Sequence, residues 1–205
     1  MSAKPQILSN ITKYQSRNPV KKFLLQNFLN RIGSLVKQHN IIEIIDLGCG
    51  EGFVINHLKK TRRAYQFTGA DISQTALEQA RTLNPNANFR QLNINDLHSL
   101  YKEQFDLALC LEVLEHLERP EKVLEEMAKL RCRYFIISVP WEPYFNLLAR
   151  IAAIFSFRDR VNPMENQHIQ HFNPKNLSQL VANHFSIKKL IRQFPWLIVV
   201  AEKTV

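Results

Sequence analysis

The chain has only five glycines in 205 residues, and three of them, Gly48, Gly50 and Gly52, alternate within the stretch IIDLGCGEGF. The run before them, Ile41-Ile42-Glu43-Ile44-Ile45-Asp46, is apolar and β-branched, the pattern of a strand buried on both faces. A helix-compatible segment, Phe53 to Arg62, follows at once. A glycine-rich turn from a buried parallel strand into a helix sets backbone N–H groups and a positive helix end beside an open crevice, an arrangement suited to nucleotides and anions. The missing Cβ atoms leave room for a ligand directly against the backbone.

The rest of the chain continues that theme. Asn18 and Pro19 form an N-cap and first-turn pair for a helix with apolar positions Phe23, Leu24, Phe28, Ile32, Leu35 and Val36. This helix is expected to cross the sheet edge or to lid the site. Strand patterns at Gln66–Ala70, Asn88–Leu92, Phe105–Leu111 and Tyr134–Val139 interleave with helix patterns at Thr75–Leu83 and Pro120–Leu130. Asn173 and Pro174 open a further helix, to His184. Two closing strands, Ser186–Gln193 and Trp196–Glu202, are separated only by Phe194 and Pro195, which forces a hairpin. The predicted architecture is α/β, a doubly wound, mainly parallel sheet with an antiparallel last strand. One domain is expected at this length.

Composition narrows the setting. No run of 18 apolar residues exists and Met1–Asn10 lacks the apolar centre of a signal peptide, so a soluble, cytoplasmic protein is expected. Cys49, Cys110 and Cys132 are odd in number and widely spaced, which fits reduced, packed thiols better than a disulfide framework or a zinc site. The net charge of +9 is uneven: residues 1–42 carry seven Lys or Arg and no acid, residues 150–192 carry seven against Asp159 and Glu165, and Glu112–Glu126 is acidic. Such asymmetry suits an anionic partner, as well as plain solubility.

Two glycine loops are excluded by their partners. A phosphate-cradling loop needs Lys and Ser or Thr where Phe53 and Val54 stand, and the dinucleotide fingerprint needs G-x-G-x-x-G where this chain has G-x-G-x-G. With Asp46 two residues ahead, D-L-G-C-G-E-G resembles the first motif of class I S-adenosylmethionine-dependent methyltransferases. FDLALCLEVLEHLERP resembles a second stretch of many such enzymes, and Ser138-Val139-Pro140-Trp141-Glu142-Pro143, HIQHF and Phe194-Pro195-Trp196 resemble a bacterial type-11/12 group. The resemblance spans nearly the whole chain and implies a Rossmann-like sheet of seven strands. Residues 1–40 then read as a helical extension packing on the core, and 41–205 as the methyltransferase domain.

The resemblance also implies roles. Asp46, Gly48, Cys49, Gly50 and Gly52 would hold the amino-acid end of S-adenosylmethionine, while Asp71, about twenty residues on, would accept from its ribose diol. Leu111 would belong to the cofactor site, and Ile72 would lie beside the adenine. Its amino group would meet Asn93 or Asp96; the family usually has Asp at the place of Asn93. His116 and Glu112 are the candidates for deprotonating an acceptor. If the turn after the fourth strand is helical, Glu112, Glu115 and His116 share one face, and His168 of HIQHF joins them in a pattern similar to small-RNA 2′-O-methyltransferases and ubiquinone-pathway O-methyltransferases. Carboxylate–histidine clusters are commonly structural networks, so no metal is assigned; Glu112, Glu115, His116 and His168 are the set that would hold a divalent cation. His171 is the competing histidine.

The expected function is methyl transfer from S-adenosylmethionine to oxygen or carbon of a small-molecule or lipid-like acceptor. The alternatives are metal-assisted RNA 2′-O-methylation, although no RNA-binding module is recognisable, and a non-catalytic S-adenosylmethionine-binding protein. The apolar stretch Tyr144–Phe157, with Arg150, Arg158 and Arg160 nearby, reads as a cover for the substrate pocket or as a peripheral membrane contact.

Overall fold

The Asn18 side chain accepts from the N–H groups of Val20 and Lys21 at 2.9 and 3.2 Å, and Pro19 fills the first turn, so α1 (Pro19–Val36) starts where the sequence predicts. The computed structural model describes residues 18–61, 64–142, 144 and 168–204. After α1 come β1 (Glu43–Leu47), α2 (Phe53–Thr61), β2 (Gln66–Asp71), α3 (Gln74–Leu83), β3 (Asn88–Gln91), β4 (Gln104–Leu111), α4 (Pro120–Lys129), β5 (Arg131–Pro140), α5 (Pro174–Ala182), β6 (Phe185–Gln193) and β7 (Trp196–Lys203). Beyond Tyr144, the apolar stretch that runs to Phe157 lies outside the described residues, as do the first seventeen. No described helix is long and apolar enough to cross a membrane.

Seven strands form one sheet in the order β3-β2-β1-β4-β5-β7-β6. The pairs β1·β2, β1·β4, β2·β3 and β4·β5 are parallel; β7 is antiparallel to both β5 and β6. The last strand is therefore the reversed one, as expected, but it lies inside the sheet, with β6 taking the edge. Strand order reverses direction at β1, with β2 on one side and β4 on the other. The carboxyl ends of β1 and β4 flank the crevice where ligands of such sheets gather.

Helices cover both faces. Val123, Leu124 and Met127 of α4 and Leu177 and Val181 of α5 join one core with Ile45, Phe135 and Val199. On the other face α1, α2 and α3 contribute Phe28, Ile32, Leu58 and Leu77 to a core with Ile44, Leu109, Ile136 and Ile198. The first helix thus covers a sheet face instead of an edge or a site mouth, because its stripe of Phe28, Ile32, Leu35 and Val36 is too apolar to leave half in water. The strand predicted to start at Tyr134 starts at Arg131. No glycine turn precedes it, and the buried Leu130 passes directly from helix to extended backbone.

Candidate active site

Gly48, Gly50 and Gly52 all have positive φ, at 76°, 51° and 76°. That conformation is strained for any side chain. At two of the three, the protein itself also fills the space a Cβ would need: on Gly48 it would lie 2.5 Å from Val113 Cγ2, and on Gly52 2.7 Å from Asn84 Nδ2. At these two positions the glycines serve the loop's own packing as much as any ligand. Gly69 in β2, which the sequence reading passed over, belongs to the same device, since a Cβ there would meet the Phe89 ring at 2.6 Å and Cys49 Sγ at 2.8 Å.

The loop's amides are already committed. Gly48 and Cys49 donate to Ala70 O at 2.8 and 3.1 Å, Gly50 donates to Asp71 Oδ2 at 2.8 Å, and Gly52 donates to Cys49 O at 2.9 Å. The expected row of N–H groups aimed at an anion is absent at these four positions. What surrounds the loop is acidic: Asp46 and Glu51 are buried and Asp71 is half-buried. Burial, and after it the Asp71 carboxylate, pushes Asp46 up to about 7. Its Oδ2 is buried with no hydrogen-bond partner among the described residues. A cradle of carboxylates with one orphaned oxygen fits a ligand that brings a cation and hydroxyl donors. Burial, then Asp46 and Asp71, drives the Cys49 thiol far upward, so it stays neutral in the loop.

The expected ribose and adenine contacts lie around the ends of β2 and β3. Asp71 accepts from Gly50 N–H and, through Oδ1, from Ser73 N–H at 2.8 Å, and an ionised carboxylate keeps further lone pairs for a diol. Ile72 is 58% exposed, its carbonyl held by Gln91 Nε2 at 3.0 Å. Asn93 Oδ1 already receives Asn95 N–H and Asn95 Nδ2 at 3.0 and 3.1 Å, while Asp96 Oδ1 pairs with His98 Nδ1 at 2.6 Å. Both adenine candidates are thus held by local turns. Leu111 closes β4 and is buried beside the switch point.

The end of β4 divides the Glu-x-x-Glu-His segment. Glu112 adopts φ 60°, and only Leu114–His116 forms a helical turn, so Glu112 does not share a face with Glu115 and His116. Its carboxylate turns to the neighbouring strands, accepting from Trp196 Nε1 at 2.6 Å and Ser138 Oγ at 3.3 Å. Glu115, His116 and His168 do converge: each offers a ligand atom, all within 4.8 Å of one another. The Glu115 side chain is 2% exposed and His116 37%, and the two histidine rings meet edge to face at 5.1 Å.

Backbone pairing brings His168 there from far along the chain. Ile169 and Gln170 N–H both donate to Glu115 O at 2.8 and 3.0 Å, Gln170 Nε2 reaches the carbonyls of Leu117 and Glu118, and Phe172 bridges Trp141. His171 is exposed, outside the cluster, and its carbonyl accepts from Asn176 at the start of α5. Trp141, Tyr144 and Phe194 form an aromatic run at the same sheet end, with ring centroids 4.9 and 6.1 Å apart, and the Arg192 guanidinium lies 5.9 Å from the Trp141 ring. Trp196, Ser138 and Gln170 stand in segments that the sequence comparison singled out, but their contacts were not legible there because their partners are 26 to 84 residues away in sequence.

A seven-stranded sheet with this order, an acidic glycine cradle after β1 and a carboxylate after β2 resemble the arrangement of class I S-adenosylmethionine-dependent methyltransferases. Residues 45–132 match the family model described as a methyltransferase domain. Among curated relatives, ubiquinone biosynthesis O-methyltransferase of Rickettsia bellii is 30% identical over 116 residues, 55% of this chain and 45% of that protein. The protein of the same name from Alkalilimnicola ehrlichii is 33% identical over 91 residues, 42% of this chain and 36% of its own length. The chain spans less than half the length of these relatives. In fold it resembles magnesium protoporphyrin IX methyltransferase from Synechocystis PCC 6803, with a TM-score of 0.70 at 19% identity, covering 95% of this chain and 92% of that one.

Proposed function

We propose that the protein transfers a methyl group from S-adenosylmethionine to a hydroxyl of a small apolar or aromatic acceptor. The observation that carries the donor is the character of the cradle: Asp46, Glu51 and Asp71 border a loop whose N–H groups at 48, 49, 50 and 52 already have protein acceptors. A polyphosphate finds few donors there, whereas an ammonium group and a ribose diol find acceptors. A cation beside Asp46 favours its ionised form, because an opposite charge opposes the effect of burial. When bound, S-adenosylmethionine supplies an electrophilic methyl group on a positively charged sulfur. Asp71 holds the diol while keeping the Gly50 N–H, and the exposed Ile72 offers an apolar surface to the adenine.

On the acceptor side, His116 takes the hydroxyl proton, and Glu115 beside it favours the imidazolium that forms. Glu112, bound by Trp196 and Ser138, fixes the wall between the two halves of the site. Trp141, Tyr144 and Phe194, with Arg192 over Trp141, suit an aromatic acceptor carrying negative charge. The names of the Rickettsia and Alkalilimnicola proteins, O-methyltransferases of ubiquinone biosynthesis, support an acceptor of this kind.

A second reading adds a divalent cation, and the convergence of Glu115, His116 and His168 favours it. Three protein ligands, one carboxylate and two imidazoles, leave positions open for an acceptor hydroxyl, whose pKa a bound cation would lower.

Calorimetry is expected to detect S-adenosylmethionine binding, weakened more than tenfold in Asp71→Ala; absence of binding overturns the donor assignment. Labelled methyl groups are expected in phenolic quinone precursors and not in RNA, with His116→Ala lowering kcat by about 100-fold or more. Full activity in a strong chelator removes the cation reading, and activity restored only by a divalent ion removes the reading of His116 as a free base.

A further inference from the structure

Glu112 follows the last residue of β4 with a φ of 60°, and among the described residues it is the one residue other than glycine in the left-handed region. A long side chain disfavours that backbone, so the surroundings must hold it there. Glycine is the usual solution, and the neighbouring loop uses it at 48, 50 and 52. Glu112 brings what glycine lacks. Its carboxylate accepts from Trp196 Nε1–H at 2.6 Å and from Ser138 Oγ–H at 3.3 Å, while its own N–H donates to Ser138 O at 3.0 Å. Trp196 is fixed in its turn: it is 3% exposed, pairs with Pro140 of β5 and Gln193 of β6, and its ring lies 4.7 Å from Phe28 of α1.

We propose that Trp196 and Glu112 are positioning residues: the indole N–H clamps the Glu112 side chain, the clamp holds the left-handed turn, and the turn sets His116 against the cofactor loop. The residues beyond the turn reach both halves of the site. Val113 occupies the space that a Cβ on Gly48 would need, so it packs on the glycine loop. His116 N–H then closes the helical turn on Val113 O at 3.1 Å, so the conformation at Glu112 aims the imidazole relative to that loop. The loop's amides at Gly48, Cys49 and Gly50 are held separately, by Ala70 O and Asp71, so loss of the clamp displaces the acceptor side more than the cofactor side. The clamp calls for a hydrogen-bond acceptor at residue 112 and not for a base, because a side-chain amide oxygen accepts from an indole N–H as a carboxylate does. The role rests on the reading of His116 as the acceptor-side base, but the clamp itself does not.

Proton NMR of the ligand-free full chain tests the clamp. Trp141 and Trp196 are the only tryptophans, so two indole N–H signals are expected, and Trp196→Phe, which keeps a ring against Phe28, identifies the second. That signal is expected downfield in wild type, kept there in Glu112→Gln and moved upfield in Glu112→Ala. Kinetics with S-adenosylmethionine and catechol as the acceptor probe test the role. Glu112→Ala and Trp196→Phe are each expected to lower kcat about tenfold or more, with the KM for S-adenosylmethionine held within about threefold. Glu112→Gln, which keeps an acceptor, and Glu112→Gly, which adopts a positive φ without a clamp, are expected to recover part of the loss seen with alanine. On the Glu112→Gly background, Trp196→Phe is expected to add no further loss. Equal losses in the alanine, glutamine and glycine variants would mean that the carboxylate itself reacts, and they overturn the proposal. So does an indole signal indifferent to residue 112, or wild-type kcat in a folded Trp196→Phe; where that variant fails to fold, the Glu112 series decides. If wild type transfers no methyl group to phenolic acceptors and yet the indole signal follows residue 112, the functional reading fails and the clamp stands.

Discussion

At the scale of single residues, Asp46 shows how a binding group differs from a stabilising one. Its carboxyl is raised from 3.8 to about 7, first by burial and then by Asp71, so the folded chain binds a proton there that the unfolded chain releases. The stability this confers is complete below about pH 4 and is lost as pH rises through 7. Asp46→Asn is therefore expected to flatten the fall in Tm between pH 4 and 8 and to stabilise the ligand-free protein at pH 8 by on the order of 2 kcal/mol. The same change is expected to weaken S-adenosylmethionine binding by tenfold or more in calorimetry, because the ammonium loses its counter-charge. A variant that gains stability and keeps full affinity would show that Asp46 is buried for another purpose. The sequence already placed Asp46, Gly48, Gly50 and Gly52 at one turn and Asp71 about twenty residues on. It did not reveal that the amides of Gly48, Cys49 and Gly50 are internally committed, since their acceptors, Ala70 O and the Asp71 carboxylate, belong to the next strand.

Between elements, Glu126 of α4 does for the scaffold what Asp46 does for the ligand, with the opposite sign. Burial alone would raise its carboxyl, but hydrogen bonds from Lys129, Tyr101 and the Leu97 N–H outweigh that effect and bring it down from 4.5 to about 2. The bonds from Tyr101 and Leu97, at 2.5 and 2.8 Å, tie α4 to the turn before β4, and the Lys129 bond at 2.6 Å lies within the helix. This contribution is complete above about pH 4.5 and is lost as pH falls toward 2. Glu126→Gln is expected to lower stability near neutral pH by about 1–2 kcal/mol in urea unfolding and to remove part of the acid sensitivity between pH 4.5 and 2. An unchanged acid limb would mean that other groups carry it. The turn after β4 teaches a different lesson. Sequence spacing put Glu112 on a face with Glu115 and His116, yet a φ of 60° at Glu112 sends its carboxylate to Ser138 and Trp196. Periodicity describes a helix once formed and says little about where the helical turn begins.

For the whole molecule, α1 is part of the core and not an appendage. Phe28, Ile32, Leu35 and Val36 are buried in the same cluster as β1, β4, β5 and β7, and the Phe28 ring lies 4.7 Å from that of Trp196, which in turn holds Glu112. Burial of four such side chains is worth roughly 6–10 kcal/mol, comparable with the whole stability of a domain. A chain beginning at Ile41 is expected to lose cooperative thermal unfolding and near-ultraviolet dichroism; a sharp transition in that truncation would make residues 1–40 a separable extension. The sequence by itself determined the alternation of strands and helices, the glycine cradle, its acid partners and the closing hairpin. Each of these is written in neighbouring residues, through β-branching, apolar period, capping and turn chemistry. Only the tertiary structure decided that β7 enters between β5 and β6, that α1 covers a face, that Glu112 leaves the cluster and that His168 joins Glu115 and His116. These depend on contacts between residues far apart in sequence, which no local preference encodes.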